Sequence, residues 1–309
     1  MRGKQGKKDV IKFQAELAGN IVSLYSDLKN KTYIHGPYSV FNISDPKPRI
    51  IHKATVRDRV LHHLIYKELY WYSHSRFIYD SYSCRVGKGT HRALNRFRSF
   101  ARKVSENHTQ TCFILKCDIK KFFANIDHDV LMRTLKRHIA DADILWLINQ
   151  VISSFNMAIP RIGLPLGNLT SQLLANVYMH EFDMYIKQEL RIKYYIRYAD
   201  DFAIMSQDRN WLEETLPKIR DFLFDNLKLQ LHPDKVSIKT FASGVDFLGW
   251  VHFPGHRVLR TSTKRRMLER IKKVNGKRET VVSYLGLMSH GNTMKLQRKI
   301  ESLLGAYDP

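Results

Sequence analysis

The stretch YYIRYADDFAIM, residues 194–205, sets two adjacent carboxylates, Asp200 and Asp201, between two short runs of β-branched and aromatic residues. These runs predict two strands joined by a tight turn. Hairpin turns favour Asn-Gly or Asp-Gly because their central residues need positive φ, whereas this pair lacks the glycine and adds like-charge repulsion. A divalent cation would turn that repulsion into attraction, since Mg²⁺ binds through carboxylates together with substrate phosphates.

A second apolar run also ends in a carboxylate. CFILKCDIKKFFANIDH, residues 112–128, predicts a buried strand over 113–117 that is followed at once by Asp118. If this strand neighbours the hairpin in one antiparallel sheet, the three carboxylates can hold two metal ions about 4 Å apart for in-line phosphoryl transfer. The alternative is a solvated turn at 200–201 with Asp118 as a helix cap. The third strand-end carboxylate and the basic charge of the chain favour the metal site.

The composition indicates a globular protein with a polyanionic partner. Among 309 residues, 51 Lys and Arg stand against 29 Asp and Glu, a formal net charge of +22. Nucleic acid is the leading partner, because each phosphate neutralised by Lys or Arg releases counterions. An anionic membrane surface is the alternative, but no apolar run approaches 18 residues, so we expect no membrane association. The N-terminus lacks the apolar core of a signal peptide, and three cysteines make no disulfide framework, so we expect a cytoplasmic protein.

Five ordered motifs between about residues 30 and 255 resemble those of reverse transcriptases. YADD at 198–201 is similar to their YxDD hairpin, and LKCDIKKFFANIDH to the motif of the first catalytic Asp. GLPLGNLTSQLLANVY resembles the loop and helix beneath the templating base pair, and LQLHPDKVSI and VDFLGW resemble the following motif and the primer grip. Upstream, DPKPRIIHKATVRDRVLHH and DSYSCRVGKGTHRAL are similar to finger motifs of bacterial retroelement enzymes.

The resemblance implies an α+β fold of the right-hand polymerase type. We expect fingers over residues 1–112, with an N-terminal helix and the basic finger motifs. A palm with an antiparallel sheet is expected over 113–254, with finger helices inserted at about 128–162. A short helical thumb is expected over 255–309.

The resemblance also implies the catalytic residues and the cofactor. Asp118 and Asp200 would be the main ligands of two Mg²⁺ ions, for which Mn²⁺ could substitute. Asp201 would support them, and the backbone of Ile119 would lie near the second metal. The implied activity is RNA-directed DNA synthesis.

Further residues are implied to contact the incoming nucleotide. Phe123, five residues after Asp118, falls at the family's aromatic gate against the ribose 2′-OH; core packing is the alternative for Phe122 or Phe123. Lys235 sits where some polymerases hold a lysine that protonates the leaving pyrophosphate, although a lysine there can also be simply solvated. The other candidates are Arg49 in the fingers, with Lys47, Lys53 and Arg57 as alternatives, and Leu166, Gly167 and Gln172 in the loop beneath the nascent pair.

Basic segments outside the catalytic motifs are predicted to bind nucleic acid. The turn Gly87-Lys88-Gly89 leads into an arginine-rich helix; a phosphate loop is not indicated, because Tyr82 stands where GxxxxGK[ST] needs its first glycine. Two interpretations of this segment remain. It is a basic loop and helix that lie along a nucleic-acid backbone, or it is an ordinary solvated basic face. The candidates are Lys88, Arg92 and Arg96 in this segment, Gly249 and Trp250 in the primer grip, and Lys264 and Arg265 in the thumb.

One departure from the common pattern indicates a subtype. Most reverse transcriptases read PQGxxxSP beneath the nascent pair, but this chain has Leu166 and Gln172 where Gln and Pro are usual. The LGxxxSQ form resembles the enzymes of diversity-generating retroelements, which copy a template RNA and misincorporate opposite adenine. It implies a small basic accessory protein that oligomerises, beside template RNA, cDNA product and dNTPs. A related enzyme of phage defence, a retron or a group II-like element is the alternative, and a non-catalytic RNA-binding protein is a remote one.

Overall fold

The computed structural model of the protein describes residues 3–44, 48–155 and 159–304. The helices in these ranges are α1 (Lys8–Ala15), α2 (Leu17–Lys29), α3 (Val56–Arg76), α4 (Thr90–Val104), α5 (His128–Lys136), α6 (Ala142–Ser153), α7 (Leu169–Met184), α8 (Arg209–Leu227), α9 (Thr261–Lys273), α10 (Arg278–Met288) and α11 (Met294–Leu304). The strands are β1 (Ser39–Ile43), β2 (Arg49–Lys53), β3 (Phe113–Asp118), β4 (Tyr195–Tyr198), β5 (Asp201–Ser206), β6 (Ser237–Thr240), β7 (Val245–Phe247), β8 (Trp250–His252) and β9 (Arg257–Leu259).

The chain divides into two compact units, each assembled from three segments. The first unit comprises Met1–Tyr79, Ile119–Arg191 and Ile219–Leu231, and the second comprises Asp80–Asp118, Ile192–Lys218 and His232–Pro309. The first unit is mainly helical and carries the antiparallel hairpin β1–β2, while the second holds two antiparallel sheets. The predicted α+β class with an antiparallel sheet is confirmed. The division into fingers, palm and thumb stays a prediction.

The first unit is organised around α7. Twelve of the sixteen residues of α7 are buried, as expected for a helix that is covered on all sides, and α3 and α5 pack against it. The hydroxyl of Tyr178 on α7 donates a 2.6 Å hydrogen bond to the carbonyl of Leu227 at the end of α8. The N-terminal helix expected from the sequence is two helices, α1 and α2, because the backbone at Glu16 (φ −119°, ψ 37°) leaves the helical region.

The second unit is built on a four-stranded sheet in the order β4-β5-β3-β6. Helix α4 buries apolar side chains at helical spacing, among them Leu94, Phe97 and Phe100, in a core that also contains Ile114 of β3. A second sheet, β7-β8-β9, joins this core through Trp250, which is 1% exposed. No helix among the described residues is long and apolar enough to cross a membrane.

Candidate active site

Two carboxylates meet at the ends of neighbouring strands in the second unit. Strand β3 pairs antiparallel with β5 in a register that sets Asp118 directly opposite Asp201, and β4 pairs with β5 so that Tyr198 also lies opposite Asp201. Directly opposed residues share one face of a sheet with Cβ atoms about 5 Å apart. Asp200 occupies the turn that joins β4 to β5. The strand pairing on which the sequence argument depended is therefore present.

The turn of this hairpin is centred one residue earlier than expected. Its central residues are Ala199 and Asp200, while Asp201 is the first residue of β5. The positive φ falls on Ala199, at 55°, so neither Asp carries the left-handed backbone that the sequence argument had placed on the pair. A left-handed alanine costs about 1 kcal/mol, and such strain is concentrated at functional sites.

Two lysines face the carboxylates. The Nζ atom of Lys235 donates a 2.7 Å hydrogen bond to Oδ1 of Asp118, and Nζ of Lys116 lies 3.7 Å from Oδ2 of Asp201. Lys235 ends the 3₁₀ turn Pro233–Lys235, which is held near β3 by the hydrogen bond from the backbone N–H of His232 to the carbonyl of Asp118. The sequence argument missed Lys116, although its place two residues before Asp118 puts both side chains on one face of the strand.

Asp201 sits in an environment that disfavours its negative charge. Burial raises the pKa of its carboxyl to about 7; Lys116 acts against this rise, while Asp118, Asp200 and Asp246 add to it. Its Oδ1 atom is buried and has no hydrogen-bond partner among the described residues. A cation bound beside this buried, unsatisfied oxygen would neutralise the negative charge that the neighbouring carboxylates share.

The donor set therefore fits a hard divalent cation. Within the described ranges, no three His, Cys, Asp or Glu side chains are gathered as a metal site, and the ammonium groups of Lys235 and Lys116 lie against the carboxylates instead. A metal ion at Asp118 would bind Oδ2 or compete with Lys235 for Oδ1. All-oxygen carboxylate ligands are those that Mg²⁺ and Mn²⁺ prefer.

The raised pKa of Asp201 predicts a pH-dependent stability. Between pH 4 and pH 7 the folded protein keeps a proton that the unfolded chain has released, so the free energy of unfolding falls as the pH rises through this window. The loss amounts to at most about 4 kcal/mol. We expect Asp201→Asn, measured by urea unfolding with a chelator present, to match the wild type near pH 4 and to be more stable at pH 8. Asp225→Asn, at an exposed carboxylate, is the control. If Asp201→Asn and the wild type differed in free energy of unfolding by the same amount at both pH values, the raised pKa of Asp201 would be contradicted.

The loop before α7 is fastened to β2 within the first unit. The backbone N–H of His52 donates to the carbonyl of Leu166 at 3.0 Å, and the side-chain amide of Asn168 donates to the carbonyl of His52 at 2.9 Å. Gly167 lies between them with φ 105°, and a Cβ atom there would stand 2.7 Å from Cγ2 of Ile51. Close approach of two backbones explains this glycine, and neither His52 nor Asn168 was identified from the sequence.

Gly167→Ala is expected to destabilise the protein by about 2 to 3 kcal/mol, because it combines a left-handed alanine with overpacking against Ile51. Gly89→Ala is the matched control, since Gly89 has φ 107° but nothing within 4 Å of its built Cβ. The free energies of unfolding in urea should therefore differ by the clash alone. Equal losses in the two variants would show that Ile51 yields without cost.

The nucleotide-binding candidates of the first unit have distinct surroundings. Arg49 is exposed at the start of β2, whereas Lys53 is paired with Asp9 at 2.7 Å and Arg57 is paired with Asp27. Existing carboxylate partners make Lys53 and Arg57 weaker candidates than Arg49. Lys47 lies outside the described residues.

The two adjacent phenylalanines are separated by burial. Phe122 is 2% exposed and packs edge-on against Phe123, which is half-buried, with ring centroids 5.3 Å apart and ring planes at 66°. Phe123 is therefore the ring available to a sugar. Gln172 is exposed in the first turns of α7, Leu166 is half-buried, and Ile119 is buried and bridges Leu231.

The nucleic-acid candidates of the second unit divide into engaged and exposed groups. Arg96 is held by Asp80 at 2.8 Å, the ammonium of Lys88 lies over the ring of Tyr82, and Arg92 bonds the carbonyl of Gly87. Gly249 forms the turn between β7 and β8, where both central residues have positive φ. Trp250 is buried beneath the guanidinium of Arg257. Lys264 and Arg265 are exposed on α9.

The chain matches a known protein family. The sequence profile described as "Reverse transcriptase (RNA-dependent DNA polymerase)" matches residues 43–252. Protein YkfC of Escherichia coli is 26% identical over 292 residues, which cover 81% of this chain and 74% of YkfC. The group II intron-encoded protein LtrA of Lactococcus lactis subsp. cremoris is 24% identical over 220 residues, which cover 48% of this chain and 35% of LtrA.

Solved structures of telomerase share the fold. Telomerase from Candida tropicalis, in complex with a TWJ fragment of telomeric RNA, aligns with a TM-score of 0.55 and 9% identity over 92% of this chain and 56% of that one. Telomerase from Candida albicans, with the same kind of RNA fragment, aligns with a TM-score of 0.52 and 12% identity over 84% of this chain and 54% of that one. The chain thus spans little more than half of the telomerase chains. The predicted polymerase fold is confirmed, and because the family profile spans most of its length, the chain belongs to the reverse transcriptase (RNA-dependent DNA polymerase) family.

Proposed function

We propose that the protein makes cDNA on an RNA template by two-metal phosphoryl transfer. The observation that carries this proposal is the register of β3 and β5, which sets Asp118 opposite Asp201 with Asp200 in the adjoining turn, in a chain of the reverse transcriptase family. Asp118, Asp200, Asp201 and the backbone of Ile119 would hold two Mg²⁺ ions, or Mn²⁺ in their place. Ions bound there supply activation of the primer hydroxyl and neutralisation of phosphate charge.

The chain's own residues perform the remaining tasks. Lys235 donates a proton to the pyrophosphate oxygen that leaves, and the bond from its Nζ to Oδ1 of Asp118 supports this role. Arg49 binds the triphosphate as a guanidinium fork, and the ring of Phe123 occupies the space that a ribose 2′-OH would need. The loop around Gly167, held by His52, supports the templating pair.

Primer extension tests the activity. The purified chain, given an RNA template annealed to a DNA primer, dNTPs and Mg²⁺, is expected to extend the primer to the template end. Chelation should stop extension and added Mg²⁺ should restore it. No extension with either Mg²⁺ or Mn²⁺ would contradict the proposal, while RNA binding without extension would favour the non-catalytic reading.

We further propose that the enzyme is error-prone at template adenines and serves a diversity-generating retroelement. The sequence LGNLTSQ supports this subtype. A small basic oligomeric accessory protein and a cytoplasmic location belong to the same proposal. The second candidate is a group II-like role, which the similarity to LtrA favours. Near-identical genomic repeats that differ at adenines beside the gene would support the first candidate, and an adjoining group II intron RNA would support the second.

Leu166→Gln is expected to lower misincorporation opposite template adenine about tenfold. An amide at this position can hydrogen-bond near the nucleotide and penalise a misplaced pair by 1 to 2 kcal/mol, roughly, which an aliphatic side chain cannot do. Sequencing of cDNA from a defined template measures the error spectrum. Leu169→Gln, at a second half-buried leucine nearby, is the control. An unchanged spectrum in Leu166→Gln would remove this explanation and leave Leu166 as a packing residue.

A further inference from the structure

The arginines on α4 differ in the partners that hold them. Arg96 donates to both carboxylate oxygens of Asp80, at 2.8 and 3.3 Å, so its charge is neutralised. Arg98, two residues on, is exposed and donates to the backbone carbonyl of Gly255 at 2.6 Å. A neutral oxygen positions a guanidinium but leaves its charge in place.

Arg102, one turn after Arg98, is also held by a neutral group. Its Nε atom donates to the amide oxygen of Asn107 at 2.7 Å. Asn107 belongs to a turn in which Glu106, Asn107 and His108 have φ of 48°, 59° and 75° in succession. Three consecutive left-handed residues with side chains are uncommon even where Asn and His are among them, and such backbone is retained where a local geometry is needed.

A third arginine adds to the same uncompensated charge. Arg257, which is 7% exposed, donates to the amide oxygen of Asn95 at 3.1 Å and to the carbonyl of His290. Burial and the nearby Arg98 lower the pKa of its guanidinium, which shows the two groups repelling each other. No carboxylate among the described residues pairs with Arg98, Arg102 or Arg257. Glu106 in the adjacent turn is exposed and accepts instead from the side chain of Gln207.

Arg98 and Arg102 border an open groove of about 420 Å³, which we name the arginine groove; it is lined by Asn95, Arg98, Ser99, Arg102, Asn107 and His108. Amide, hydroxyl and imidazole groups lie beside the two guanidinium groups in this lining. Arginines at i and i+4 on one helix have Cβ atoms about 6 Å apart, so two phosphates of one strand can be engaged together. An anion would also relieve the mutual repulsion of the arginines.

The groove lies at the far end of the sheet from the catalytic carboxylates. Strand β3 begins at Phe113, just after the strained turn, and ends at Asp118. At about 3.3 Å per residue the two ends are about 17 Å apart. The side chain of Gln207, which follows β5, bonds the carbonyl of Val104 and so fastens this end of α4 to the sheet. A strand held in the groove is thus several nucleotides away from the base being copied.

We propose that the arginine groove binds the phosphodiester backbone of a nucleic-acid strand outside the polymerisation site, and so anchors a segment that is not being copied. This inference rests on the proposed function for its choice of a nucleic-acid ligand. Backbone contacts of this type position a strand without reading its sequence.

The test is the full-length double variant Arg98→Gln/Arg102→Gln, with binding followed by fluorescence anisotropy. The probes are a short labelled template–primer and the same duplex with a long single-stranded RNA extension. For the extended probe, affinity at physiological salt should fall about tenfold, and the slope of log K against log salt should become shallower by about 1.4, that is 0.7 for each of two phosphates. Affinity for the short probe and the rate of its extension should be unchanged.

Two further variants separate charge from fold. Arg209→Gln/Arg220→Gln removes the same charge from exposed positions of α8 and should leave binding of the extended probe unaltered. Arg98→Lys/Arg102→Lys keeps the charge and should recover most of the affinity and the salt slope. The proposal would be overturned if the α8 control lost as much affinity for the extended probe as Arg98→Gln/Arg102→Gln does. It would also be overturned if Arg98→Gln/Arg102→Gln bound that probe as tightly as the wild type.

A DNA extension in place of RNA identifies the strand. If the double variant loses affinity only for the probe with the RNA extension, the groove binds template RNA. If it loses affinity equally for the RNA and DNA extensions, the groove binds either strand through the phosphates that both share. These measurements need no catalysis. If the wild type extends no primer yet binds the extended probe through these arginines, the proposed polymerase activity fails and the groove stands.

Discussion

Asp200→Asn is expected to lower the rate of primer extension at least about a thousandfold, or more than about 4 kcal/mol of transition-state stabilisation. The amide keeps the shape of the side chain but removes a negative charge from a site proposed to hold two divalent ions. Asp200 lies in the turn between β4 and β5 and is half-buried, so the fold should survive the exchange. RNA binding should persist, because the basic residues proposed to contact phosphates lie elsewhere in the sequence.

The measurement is single-turnover extension on an RNA template, together with anisotropy of the same labelled template–primer. Asp225→Asn, an exposed carboxylate on α8, is the control for the loss of one negative charge. We expect it to extend the primer at the wild-type rate. Equal extension rates in Asp200→Asn and the wild type would sink the two-metal assignment, whichever family the chain belongs to.

Phe123→Ala is expected to reduce the preference for dNTPs over rNTPs by about ten- to a hundredfold, equivalent to roughly 1 to 3 kcal/mol. The reason is steric: an alanine leaves room for the 2′-OH that the proposed gate excludes. The observable is the ratio of kcat/KM for dATP and ATP on the same template. Extension with dNTPs should continue. The proposed gate acts only against ribose, so its removal takes away no group that acts on a deoxyribonucleotide.

The neighbouring ring provides a sharp control. Phe122 is 2% exposed, so Phe122→Ala should lower the free energy of unfolding by about 3 kcal/mol, as cavity formation in a core does, without changing the sugar ratio. If Phe123→Ala leaves the ratio unchanged, Phe123 is a packing residue. If Phe122→Ala changes the ratio as strongly as Phe123→Ala, the effect comes from disturbance of the 3₁₀ turn Phe122–Asn125, which contains both rings.

Much of the candidate site is readable from local pattern. The apolar run that ends in Asp118 and the hairpin around Asp200-Asp201 predicted strands with carboxylates at one end, and the structure pairs β3 with β5 in a register that opposes Asp118 and Asp201. The reason is that a period of two assigns side chains to faces before any long-range contact is known. The arginine-rich helix after Gly87-Lys88-Gly89 was also predicted from the sequence and is present as α4.

Other features needed contacts between distant parts of the chain. Asp118 and Lys235 are 117 residues apart, and the motifs did not indicate that the ammonium of Lys235 bonds this carboxylate. The positive φ of the hairpin falls on Ala199, because the β4–β5 register decides which residues are central in the turn. The close approach of Ile51 to Gly167 depends on how β2 meets the loop before α7.

The arginines also show which properties follow from sequence and which depend on tertiary structure. Composition alone predicted a nucleic-acid partner, because net charge sums over the chain whatever its fold. Arg96 was named from sequence as a backbone contact, yet it is the arginine of α4 that Asp80 neutralises, while Arg98 and Arg102 keep their charge. Residue type sets the chemistry available at each position, but a side chain's free charge depends on its tertiary neighbours, since an ion pair forms only where folding brings opposite charges within a few ångströms.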